Sequence, residues 1–384
     1  MSTVNVSATA RSMSAEGMRF LASLSPEELR EVRQDAHARP GSEWNFTPGE
    51  RRGLALCDMS PRSQQYALRL LSTSLSPAGF ALASYVMGLE NVLAVDEGWT
   101  ELYPGRPEHG RSRDPMMYFV TVFGEPGDAA WGWQFSGHHL VVHAWVERGA
   151  VVSLTPHFIG VNPSQAPALG RNELRPLRGE EIIAAEIVGR LTEAERQEAV
   201  FSPIAPSDIL QQNRPLVDDE AVPLAPEAIY PSGVSSRQSR DFLGALGFTE
   251  EQAGRASDPP EILRHAESDP RSRGMRVAET DPGTQALVEE LLTHYVDRFP
   301  RETHRRVFGW TPGDALPTDL RFAWAGEYER GVGRYYCFDS HAITIEFDNT
   351  QNRANHIHSA LRSRKTDFAS DILRAHYDAE HAKG

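Results

Sequence analysis

Five of the chain's 14 histidines fall in two short stretches, Gly137-His138-His139-Leu140-Val141-Val142-His143 and Asn355-His356-Ile357-His358. Both stretches are otherwise apolar and strand-like. An imidazole among valines and isoleucine is costly to bury unless it finds a polar partner. Histidine is also the commonest metal ligand, so metal-centred chemistry is the first expectation. In an extended segment alternate side chains share a face, which places His139 with His143 and leaves His138 on the other side. His356 and His358 point the same way and offer a metal two nitrogens from one strand. The expected ligands are His139, His356 and His358, with His143 or Asp348 as the fourth. At most one of His138 and His139 is expected to face the metal, which leaves His138 a supporting or catalytic role.

In Ala342-Ile343-Thr344-Ile345-Glu346-Phe347-Asp348 the apolar residues alternate with Thr344, Glu346 and Asp348. One face is therefore core and the other carries two acids. Glu346 or Asp348 completes a ligand set or acts as base on an activated water; otherwise this face is solvated and Asp348-Asn349 begins a turn. His157, in Thr155-Pro156-His157-Phe158, is a further catalytic candidate at a strand end, or else a hydrogen-bonded loop residue. The dinucleotide and Walker phosphate motifs, the Gly-x-Ser-x-Gly elbow and His-Glu-x-x-His are all absent.

The elements that must position these residues follow from periodicity and turn chemistry. A loose tail over residues 1–14 precedes a helical region reaching residue 95. Ser25-Pro26-Glu27-Glu28 starts a helix to about His37, and helices are expected over 61–74 and 77–93. Strands follow over 116–123, 131–135, 138–146 and 150–154, the last two joined through Glu147-Arg148-Gly149. A helix over 178–200, a Pro-rich connection, a short helical insertion over 235–276 and a helix over 284–299 come next. A second antiparallel block covers 320–348, and Thr366-Asp367 caps a terminal helix on which His376 packs or caps. The expected fold class is α+β, with antiparallel sheet blocks surrounded by helices in one integrated domain over 15–384. The two strand blocks are only loosely alike.

Bulk composition narrows the function. The chain has 384 residues, 40% hydrophobic and 24% charged, with a net charge of -14. Wholesale disorder is excluded, and the charge argues against general affinity for nucleic acid or anionic membranes. The basic run Arg362-Ser363-Arg364-Lys365 is expected to be a solvated loop. Cys57 and Cys337, the only cysteines, are expected to be reduced and partly buried. No secretory signal and no run of the roughly 18 apolar residues a membrane helix needs is apparent. The expected setting is the cytoplasm and the expected partner a small molecule.

Several blocks together resemble the domain-of-unknown-function 3500 family of bacterial proteins. They are Trp131-Gly132-Trp133-Gln134-Phe135-Ser136-Gly137-His138-His139-Leu140, Thr155-Pro156-His157-Phe158-Ile159-Gly160-Val161-Asn162-Pro163 and Phe322-Ala323-Trp324-Ala325-Gly326. Glu346-Phe347-Asp348-Asn349-Thr350-Gln351, Asn355-His356-Ile357-His358-Ser359, Asp367-Phe368 and His376-Tyr377 continue the series. Two departures stand out: Arg334-Tyr335-Tyr336 where the family tends to show His before paired tyrosines, and Arg362-Ser363-Arg364 where it usually reads Arg-Asp-Pro. The resemblance implies one integrated domain and selects the same residues, but it supplies no substrate. The leading expectation is a metal-dependent enzyme acting on a small molecule, by hydrolysis with a metal-activated water. Zn, Fe, Mn and Cu are all open as the divalent ion. The alternatives are an Fe or Cu oxidoreductase and a non-enzymatic ligand-binding protein with structural histidines.

Overall fold

The computed structural model describes residues 6–35, 44–46, 51–96, 113–206, 208–218, 274–329 and 331–369. The insertion expected over 235–276, up to residue 273, and the terminal helix beyond residue 369 with His376 lie outside them. Along the chain come α1 (Ala8–Ala22), α2 (Pro26–Val32), β1 (Arg33–Gln34), β2 (Leu54–Ala55), α3 (Pro61–Thr73) and α4 (Pro77–Asp96). Five strands follow: β3 (Phe119–Phe123), β4 (Ala130–Gly137), β5 (Leu140–Glu147), β6 (Ala150–Ser153) and β7 (His157–Val161). After β8 (Ala166–Pro167) and β9 (Glu173–Leu174) come α5 (Arg178–Arg190), α6 (Glu193–Ala199), β10 (Val200–Ser202), β11 (Met275–Arg276), α7 (Pro282–Val296) and α8 (His304–Phe308). The last strands are β12 (Arg321–Gly326), β13 (Arg334–Asp339), β14 (Ile343–Gln351) and β15 (His356–Ser363). The class is mixed α+β with mostly antiparallel pairing, as expected.

Contacts divide the chain into two compact units: Met1–Ile159 with Thr293–Asp314 and Leu361–Gly384, and Gly160–Leu292 with Ala315–Ala360. In unit 1 the tail expected to be loose is helical from Ala8, because the Ser7 hydroxyl accepts the Ala10 N–H and caps it. Ser25 and Glu28 form a capping box at α2, with Pro26 in its first turn. That helix stops short of His37 because Arg33 and Gln34 pair in parallel with Val122 and Phe123. Their backbone groups go to the strand ladder instead of another helical turn. The strand order is β1-β3-β4-β5-β7, with β2 on β3 and β6 on β5.

The basic run is not a solvated loop. Arg362 is fully buried at the end of β15, its Nε paired with Asp367 and its guanidinium carbon 5.1 Å from the Trp44 ring centroid. Both cysteines are unbridged and half-buried. Among the described helices, α4 alone is long and apolar enough to cross a membrane by length and composition. Its Gly79, Ala83, Val86 and Leu93 are nevertheless buried at helical spacing.

Unit 2 reproduces the element order of unit 1. A helix (α5), a short capped helix (α6) and a parallel strand (β10) are followed by β11 and the start of α7, then by β12, β13, β14 and β15. Thr192 and Glu195 form the same capping box as Ser25 and Glu28. Leu54 pairs with Val120 and Arg33 with Val122; Met275 pairs with Phe322 and Val200 with Trp324, at identical spacing. In the first turn of α3, Gln64 Nε2 donates to the Met59 carbonyl at 3.2 Å; in the first turn of α7, Gln285 Nε2 donates to the Thr280 carbonyl at 2.8 Å. The strand blocks that looked only loosely alike in sequence are two editions of one arrangement.

The shared arrangement also explains two glycines. Gly53 and Gly274 have φ of +98° and +86°, and a Cβ would stand 2.3 Å from the Val120 or Phe322 carbonyl oxygen. An alanine at either position meets both a left-handed backbone and a clash with a backbone atom. Gly53→Ala and Gly274→Ala are each expected to cost about 1–3 kcal/mol in chemical denaturation. A loss below about 0.5 kcal/mol at either position would contradict the account.

Candidate metal centre

His138 and His139 do not lie in a strand. Gly137 pairs with Leu140, so the two histidines form the two-residue turn joining β4 to β5. His139, the second residue of the turn, has φ +62°, the left-handed conformation. The Tyr118 hydroxyl donates to the His138 carbonyl at 2.7 Å, and the His139 N–H donates to the Phe46 carbonyl at 3.2 Å. Strand alternation therefore does not apply. The two rings stack with centroids 3.6 Å apart, and both are buried.

The third member of the cluster is Glu90, on α4. His138 Nδ1 lies 2.7 Å from Glu90 Oε1 and 2.9 Å from Oε2. Ligand atoms of Glu90, His138 and His139 all lie within 4.8 Å of one another, and all three residues are buried. A buried carboxylate needs charge and hydrogen-bond partners. The Arg51 guanidinium is one; burial pulls its pKa down to about 10, while the charges of Tyr118 and Glu90 oppose that shift. The Arg113 guanidinium reaches within 3.5 Å of His138 Nδ1. Glu90 escaped the sequence reading, yet a signal was there. It falls on the buried stripe Gly79, Ala83, Val86, Leu93 of a helix whose other inward residues are apolar or small.

His143 and His157 are placed elsewhere in unit 1. His143 is enclosed by the core, with Phe123 and Phe368 ring centroids at 6.4 and 5.2 Å. His157 meets the Phe299 ring edge-on, with centroids 4.8 Å apart. Neither belongs to the Glu90 group. Burial pulls the His143 pKa down to about 3, opposed by the Thr155 backbone. Burial and then the Arg298 charge hold His157 well below its ordinary value. The unfolded chain titrates His143 near 6.5, so below that pH it gains a proton that the fold refuses. His143 thus leaves stability unchanged above about pH 6.5 and lowers it progressively as pH falls towards 3. His143→Leu is expected to flatten this acid limb of the stability–pH curve; an unchanged slope between pH 6 and 4 would contradict it.

Unit 2 holds the second histidine motif. The His356 and His358 rings sit edge-to-face with centroids 4.5 Å apart, at the start of β15. His358 Nδ1 lies 2.7 Å from Asp208 Oδ1, an acid the sequence reading passed over. Glu346 and Asp348 are both buried, so the β14 face expected to be solvated, if not a ligand set, is interior. The Glu346 carboxylate accepts the Leu210 and Gln211 N–H groups and the Tyr335 hydroxyl. Asp348 Oδ1 accepts the Thr350 N–H and hydroxyl, and Oδ2 has no hydrogen-bond partner among the described residues. Burial first, and then the Asp208 charge, push its carboxyl well above the usual carboxylate range.

These features define a mixed α+β protein with a buried carboxylate–histidine cluster able to hold a metal ion. The chain belongs to the DUF3500 family, described as a protein family of unknown function, which it matches over residues 6–370. No curated protein and no solved structure matches it.

Proposed function

We propose that the protein is a metal-dependent enzyme acting on a small molecule, with hydrolysis as its reaction. The observation that carries this reading is the convergence of Glu90, His138 and His139, whose ligand atoms lie within 4.8 Å of one another. One carboxylate oxygen and two imidazole nitrogens are the donor set of many hydrolytic centres with an open position, and they suit zinc, manganese and iron. A divalent ion held there supplies a Lewis acid and lowers the pKa of water. The protein's part is placement. The turn fixes both imidazoles, α4 delivers the acid, and Arg51 and Arg113 bring positive charge beside it. Burial of Glu90, His138 and His139 strengthens the charge interactions among them.

Elemental analysis of the purified full chain tests the reading, combined with thermal melts before and after chelation. About one divalent ion per cluster and a lowered melting temperature on chelation are expected. The loaded protein is then assayed against ester, amide and phosphoester panels, and for oxygen consumption when it holds iron or copper. Failure to retain stoichiometric Zn, Mn, Fe or Cu after supplementation would remove the metal reading. Oxygen consumption without hydrolysis would replace the hydrolase with an oxidoreductase.

A further inference from the structure

Asp208 is a buried carboxyl group that the strands alone do not call for. The loop from Asp208 to Asp218 is tied down by its own side chains and by Glu346. Asp208 Oδ1 accepts the Ile209 N–H at 2.7 Å. Glu346 Oε1 accepts the Leu210 N–H at 2.6 Å and the Gln211 N–H at 3.2 Å. Gln211 closes the loop on Asp218, accepting its N–H at 2.8 Å and donating to its carbonyl at 2.7 Å. With the next three residues held, Asp208 has little freedom to leave His358 Nδ1, 2.7 Å away. Asp208 and His358 are 5% and 6% exposed, so water competes weakly for this contact.

The repeated architecture shows that these groups are not needed to build the strands. Register runs Val120–Phe135–Val142 across β3, β4 and β5, and Phe322–Phe338–Ile345 across β12, β13 and β14. His143 and Trp145 therefore stand where unit 2 has Glu346 and Asp348. The same strand forms with or without acids, so the acid that grips the 208–218 loop is particular to unit 2. The contact it secures also has a parallel in unit 1, where Glu90 takes His138 Nδ1 at the same 2.7 Å.

We propose that Asp208 is a positioning residue, held by the Glu346-clamped loop, that fixes His358 in the Nδ1–H tautomer and places the lone pair on Nε2 for a borderline divalent cation such as zinc. A carboxylate behind a ligating imidazole orients the ring and raises its basicity. The cation rests on the metal reading of the histidine motifs; the tautomer does not. Nitrogen-15 histidine spectra of the metal-free full chain, with His358 assigned through His358→Gln, separate the two. In spectra taken above the ring's titration range, the expected form is protonated on Nδ1. Asp208→Ala shifts it towards the Nε2–H form, and Asp208→Asn, whose amide oxygen still accepts, retains Nδ1–H. Zinc affinity falls about 10–100-fold in Asp208→Ala and recovers in part in Asp208→Asn. A wild-type ring protonated on Nε2 overturns the proposal. So does an Nδ1–H ring that persists in Asp208→Ala. The expected tautomers without zinc binding by the wild type would support Asp208's role and sink the metal reading alone; should Asp208→Ala fail to fold, Asp208→Asn and the wild type still decide it.

Discussion

His139→Ala is expected to leave the Glu90–His138–His139 cluster unable to retain a metal ion. The substitution removes one of three converging donors and leaves the other two in place. Outer partners of metal ligands change affinity by about 10–100-fold, so loss of a ligand should exceed 100-fold. Glu90→Gln is the companion variant. It keeps the shape on α4, removes the negative charge, and should weaken binding comparably. Competition titration with a zinc indicator measures both. His143→Leu, whose site lies among Phe123 and Phe368, serves as control and should keep wild-type affinity. Wild-type affinity in His139→Ala would remove the cluster from consideration.

Asp367→Ala is expected to be the most destabilising single change outside the cluster. Asp367 pairs with the fully buried Arg362 through Nε and accepts the Ser363 N–H at 2.8 Å. Its removal takes the Nε partner away from a buried guanidinium packed over Trp44. Breaking one side of a buried pair costs about 3–5 kcal/mol, chiefly because the remaining charge has lost its partner. Replacing both at once, Arg362→Met with Asp367→Leu, should cost far less than Asp367→Ala alone. Denaturant titration of the three proteins tests this, and a loss under about 1 kcal/mol in Asp367→Ala would overturn it.

Most of the elements were legible because their signals are local. Ser25-Pro26-Glu27-Glu28 announced α2, the β-branched run before Gly124 announced β3, and Glu147-Arg148-Gly149 announced the β5–β6 turn. What escaped depends on pairing across long stretches of chain. Arg33-Gln34 reads as more helix until Val122 and Phe123 claim its backbone. The repeat is spread over segments too short and too diverged to stand out, and only register makes Gly53 and Gly274 equivalent. The candidate site divides in the same way. The histidine motifs are written in sequence, whereas the carboxylates that hold them, Glu90 and Asp208, come from 48 and 150 residues away. His138-His139 was misread because a histidine pair carries no turn signature.

That last misreading has a consequence. Tight hairpins favour Asn-Gly or Gly where φ is positive, and His139 holds φ +62° without either. Glycine there would relax the backbone and firm up the hairpin while deleting a donor. A search for heat-resistant versions of this protein run under chelation, blind to activity, should therefore drift towards His139→Gly, and the hardiest survivors would be blanks.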